Sequence, residues 1–162
     1  MAIDVGSAAI VQPSVSNPNY TIISLTNPAN ASGIINSVEV YCSSNLTGFK
    51  AATFFLVSGT TYECRAIASI GNVTGGSKQT FSGLSIAVVT GDFIGFYFAT
   101  GNNGVYINNN GGAGQMFVSG GGDYATPTTQ AVYTLGANDL VSLYGTGLET
   151  QLVATTGIAQ II

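Results

Sequence analysis

Eleven short runs of β-branched and aromatic residues, each stopped by Gly, Pro, Asn or Ser, divide this chain from residue 21 to residue 145. They are TIISLT (21–26), IINSVEVYC (34–42), AATFFLV (51–57), TYECRAIAS (61–69), KQTFSG (78–83), LSIAVV (84–89), DFIGFYFA (92–99), GVYIN (104–108), QMFVSG (115–120), QAVYTL (130–135) and DLVSLYG (139–145). Runs of this length and content suit a pleated, half-buried backbone. No window sustains the 3.6-residue period of a helix. Short strands spaced by turn residues predict an all-β fold, an antiparallel jelly-roll or Greek-key β-sandwich of roughly eight to ten strands. The sandwich is expected over residues 19–145, with an extended N-terminal arm at 1–18 and a C-terminal strand or tail at 146–162.

Some runs carry finer information. Ser58-Gly59-Thr60, between Val57 and Thr61, reads as a hairpin loop joining two runs. In IINSVEVYC the apolar residues alternate imperfectly, although Val38 and Val40 flank an outward Glu39. DFIGFYFA is apolar on both faces, with Ile94, Phe96 and Phe98 on one and Phe93 and Tyr97 on the other. Such a strand is either central beneath a covering loop or placed at a subunit contact. The segment SGLSIAVVTGDFIGFYF (82–98) runs an apolar strand into a Gly-Asp turn and out again as another apolar strand. Asp92 can hydrogen-bond its own turn, and Gly91 tolerates a left-handed conformation. The segment resembles tumour-necrosis-factor-like trimeric jelly rolls and the jelly-roll modules of phage fibre and capsid-surface proteins. That resemblance implies the fold class and a trimer, and it transfers no functional residue.

Composition limits the role. The chain has 162 residues and 46% apolar content, enough for a sizeable core, yet only 6% of residues are charged, against roughly 25% in an average domain. Its surface must therefore consist of Ser, Thr, Asn, Gln and Gly, which neither titrate nor respond to salt. Lys50, Arg65 and Lys78 are the whole basic complement, histidine is absent and the net charge is −4. Three scattered cations cannot neutralise a run of phosphates, so nucleic acid is excluded as a partner. No apolar run approaches the ~20 residues of a membrane span. The opening MAIDVGSAAI lacks the basic and long apolar regions of a secretory signal. The expected location is a virion surface or an extracellular setting.

Chemistry finds little purchase. A hydrolase triad wants a histidine base, and Glu39, Glu63, Asp92, Asp123, Asp139 and Glu149 read as strand faces and turns rather than a glycosidase pair. The expectation is a protein that is not an enzyme, with no catalytic residue, cofactor or metal. Cys42 and Cys64 are either buried thiols or a disulfide. The stretch GNNGVYINNNGGAGQMFVSGGGDY (101–124) falls short of a phosphate-binding loop and holds a single carboxylate, Asp123. It reads as a projecting hairpin of strands 104–108 and 115–119, with Tyr106, Phe117 and Tyr124 as a surface ligand loop.

Both ends of the chain are apolar. Ile3, Val5, Ile10, Val11, Leu152, Val153, Ile158, Ile161 and Ile162 are expected to contact neighbouring subunits, since exposed apolar strands need a partner. These features favour a non-enzymatic structural protein of a virus particle of the phage kind, in capsid decoration and stabilisation or as a fibre or tail module. The partners would be further copies of the chain, a trimer by the resemblance, and a larger assembly such as a capsid or filament. A carbohydrate-binding or adhesin module is one alternative, and a self-polymerising extracellular filament subunit is another.

Overall fold

The computed structural model describes residues 2–150, and these contain fourteen strands. In chain order they are β1 (Ala2–Gly6), β2 (Ser14–Val15), β3 (Ile22–Ser24), β4 (Gly33–Tyr41), β5 (Leu46–Ser58), β6 (Thr61–Val73), β7 (Lys78–Val88), β8 (Phe93–Tyr97), β9 (Tyr106–Asn108), β10 (Gln115–Phe117), β11 (Gln130–Val132), β12 (Thr134–Gly136), β13 (Leu140–Val141) and β14 (Leu143–Glu149). No described helix is long and apolar enough to cross a membrane.

The first sheet runs β1-β14-β4-β7, and a second contains the order β6-β5-β8-β3. Counting only these eight strands along the chain, the sheets read first-eighth-third-sixth and fifth-fourth-seventh-second. All their pairings are antiparallel. This is the strand order of a jelly roll. The inward faces interlock in one core, with Ile3, Val5, Ile35, Val38, Val40, Ile86 and Leu143 opposite Phe49, Ala51, Ile94, Phe96 and Phe98. Phe49, Phe96 and Phe98 stack in series, with ring centroids 5.8 and 6.1 Å apart.

The turns follow the local chemistry. Gly59 and Thr60 join β5 to β6 as a two-residue loop, with Ser58 paired to Thr61. At the β7–β8 turn Gly91 takes φ +90°. The Asp92 carboxylate accepts from the Val89 amide at 2.9 Å. Arg65 grips the same carboxylate from β6 with Nε and, at 3.1 Å, Nη2. The imperfect alternation of β4 also has a cause. Asn36 has no partner in either neighbouring strand, a bulge that lets Ile35 face inward together with Val38 and Val40. The runs at 78–83 and 84–89 form one strand, β7, whose register against β4 shifts around Gly83.

The long segment between β8 and β14 builds a second layer. β10 and β12 extend the second sheet beyond β3, and β11 extends it beyond β6, giving the order β11-β6-β5-β8-β3-β10-β12. Its edge strands β11 and β12 are separated along the chain by Tyr133 alone, so the sheet curls until its two edges meet there. Inside lie Ile23, Ala52, Phe54, Tyr62, Cys64, Tyr97, Met116, Val118, Ala125 and Tyr133. Tyr133 meets Tyr62 and Phe54 edge-on, at 5.7 and 6.4 Å. This explains the doubly apolar β8. Ile94 and Phe96 enter the sandwich core, while Tyr97 enters the ring and Phe93 packs against it. Gly95 between them is bare because an added Cβ would sit 2.5 Å from the Ile22 carbonyl oxygen and 2.7 Å from the Phe54 ring.

Two expectations change and one open choice closes. The first 18 residues are no free arm: β1 pairs with β14, and Ile3 and Val5 are 1% and 0% exposed, so they are core residues rather than subunit contacts. The backbone beyond them is tied down as well, with Ser7 N–H donating to Leu143 O at 2.9 Å and Ser142 Oγ to Ile10 O at 2.6 Å. Residues 146–149 belong to β14 and hence to the sandwich. Leu152, Val153, Ile158, Ile161 and Ile162 lie outside the described residues. Cys42 and Cys64 are both free and buried, one in the sandwich core and one in the ring, so no disulfide joins them.

Candidate functional site

Segment 101–124 does not form a hairpin. β9 pairs with β2 and β13 in a small three-stranded sheet, whereas β10 pairs with β3 and β12. The glycines let this backbone lie against other backbone. Gly104 N–H donates to Ser16 O at 3.0 Å, and an added Cβ there would collide with Ser16. The expected ligand loop is dispersed accordingly. Tyr106 stands edge-on to Tyr41 at 5.3 Å. Tyr124 packs against the ring core, its N–H donating to Thr21 Oγ1 at 2.8 Å. Of the three, Phe117 alone lines a cleft that also has amide and aromatic walls.

That cleft, about 390 Å³, opens between the β2–β9 pair and the β3–β10 pair. Gln115 and Phe117 are two apart on β10 and share its cleft face, while Met116 between them points into the ring. Ile22 lies opposite Phe117 in the ladder. Tyr20 meets Phe117 edge-on at 6.5 Å. Ser14 to Asn17, Ile107 and Asn109 complete the lining, which holds no charged residue. Gln115 Oε1 is buried without a protein hydrogen-bond partner. Ser16 Oγ is too, although it faces Gly104. A second recess, formed by Ser44, Asn45, Thr100, Gly101 and Asn102, has no aromatic wall.

The charges are engaged elsewhere. Lys50 pairs with Asp123, Arg65 with Asp92 and Lys78 with Glu39, so each of the chain's three cations has a carboxylate. Arg65 also lies over the Phe55 ring at 4.5 Å. Burial pushes the Cys42 thiol up to about 11 and the Cys64 thiol up to about 12, which keeps both protonated and unreactive at neutral pH. Burial also raises Tyr62 and Tyr133. Among the described residues no group of three or more carboxylates and thiols comes together as a metal site.

Sequence reasoning missed Tyr20, Asn17, Asn109 and Gln115. The alternation of Gln115 and Phe117 was a usable signal for one wall, but the other wall was hidden within the supposed arm. Compared with protein-family models, curated proteins and solved structures, the chain matches none of them.

Proposed function

We propose that this chain is a non-enzymatic structural protein of a virus particle of the phage kind, acting in capsid decoration and stabilisation or as a fibre or tail module. The observation that carries the reading is an apolar row on the outer face of the four-stranded sheet. Ala2, Leu148, Ile34 and Ala87 lie directly opposite one another across all four strands. Leu148 is 65% exposed, and Ala2 and Ala87 are exposed beside a half-buried Ile34. A jelly roll with such a row, in a chain of so few charges, suits a building block of a larger shell, an argument that joins fold-level analogy to one surface feature. The occupant of the row is a second copy of the chain, in an assembly taken to be a trimer. Ile10 and Val11, 51% and 59% exposed, add a second apolar contact. Binding confined to the assembled state would stabilise the particle by mass action.

Light scattering coupled to size-exclusion chromatography tests this. The expected result is an oligomer that Leu148→Asp dissociates without altering the circular dichroism spectrum. A monomeric parent chain, or an oligomer indifferent to Leu148→Asp and Ile34→Asp, would remove the basis for the reading.

A further inference from the structure

We infer that the cleft between β2–β9 and β3–β10 is a binding site for a neutral saccharide. This goes beyond the particle reading and stands without it. Its volume of about 390 Å³ falls within the ~300–1,000 Å³ that small-molecule sites occupy. Its walls combine two kinds of surface. Phe117, Tyr20, Ile22 and Ile107 supply apolar and aromatic area, against which the C–H face of a sugar ring can lie. Asn17, Asn109 and Gln115 supply side-chain amides, each with donors and an acceptor, to match hydroxyl groups that are themselves both.

Gln115 Oε1 is buried without a protein hydrogen-bond partner, and in a native fold such a group calls for a reason. A turn of the Gln115 side chain toward the cleft would let a ligand hydroxyl donate to it. Charge selects among ligands. No lysine or arginine lines the cleft, and all three cations of the chain are held in ion pairs. A phosphate, sulfate or carboxylate would find no counter-charge, whereas an uncharged polyol needs none. The recess at Ser44–Asn45 and Thr100–Asn102 offers polar groups without an aromatic wall, and so serves as an internal control.

The test begins with a glycan array bearing neutral, sialylated and sulfated glycans, probed with the full chain. The strongest neutral glycan is then titrated by calorimetry against the parent, Asn109→Ala, Phe117→Leu and Asn102→Ala. The expected outcome is a neutral glycan whose affinity falls about tenfold in each of the two cleft variants and is unchanged in Asn102→Ala. Asn109 is exposed, so its truncation leaves the fold intact, and unchanged circular dichroism checks this for both cleft variants. The inference is overturned by an array with no neutral-glycan signal, by signal confined to sialylated or sulfated glycans, or by an affinity indifferent to Asn109→Ala.

Discussion

The two sheets of this jelly roll treat their outer faces in opposite ways. The four-stranded sheet leaves Asp4, Thr146, Tyr144 and Glu39 toward solvent, with the Ala2–Leu148–Ile34–Ala87 row beside them. Along β3, β8 and the middle of β5 the second sheet buries both faces, because the segment after β8 curls over them and closes a second core. The same alternation along β5, Phe49 and Ala51 inward against Ala52 and Phe54 outward, therefore serves two cores rather than one core and water. A strand apolar on both sides does not by itself indicate a subunit contact. The proposed self-contact lies instead on the outer face of the four-stranded sheet, at Leu148.

The contrast can be broken most directly at Tyr133. Tyr133→Ala removes the ring contacts at the point where the two sheet edges meet, and should cost about 3–5 kcal/mol, read by urea denaturation. A loss below ~1 kcal/mol would mean that the ring is an ornament on an independently stable sandwich. Next in size is Asp92→Ala, which strips the partner from a part-buried Arg65 and the acceptor from the Val89 amide. About 2–4 kcal/mol is expected, with much less for Glu39→Ala, whose Lys78 partner is on the solvent-facing sheet.

Alkali should sharpen the comparison further. A folded thiol held at about 11 or 12, against an ordinary value of 9.0, contributes stability that is complete below pH 9 and is lost as pH rises through the folded value. Tyr62 and Tyr133, both raised by burial in the ring, act with the same sign. Melting temperature should hold steady from neutral pH to about 9 and then fall, and Cys64→Ala should blunt the fall. Smallest in its effect on folding is Leu148→Ser, within ~0.5 kcal/mol of the parent, although it should weaken self-association. A large loss of folding stability would place Leu148 in a core and leave the two faces alike.

What could be read in the sequence was what the chain decides locally. The Gly59-Thr60 loop and the Asp92 turn are made by neighbouring residues, and both form as expected. The bulge at Asn36 left its trace as a broken alternation, without revealing which residue was extra. Ile3 and Val5 were misplaced because their partner strand lies some 140 positions away, and nothing near them reports that. Segment 101–124 failed for the same reason. Adjacent strand-like runs invite a hairpin, yet β9 and β10 each find partners far along the chain. The cleft inherits this difficulty, since Asn17 and Gln115 become neighbours only through those long-range ladders.

The position of β14 between β1 and β4 also sets a timetable. Of the described strands, β1 emerges first from a ribosome, and its ladder partner among them, β14, emerges last. At about 5–20 residues per second, Ile3 and Val5 wait on the order of ten seconds for residues 143–149. Throughout that interval an apolar strand is open to any other edge it meets. Crowded polysomes, in which many such strands wait side by side, are where this protein would be most prone to mispairing, and slowing synthesis ahead of β14 would lengthen the exposure.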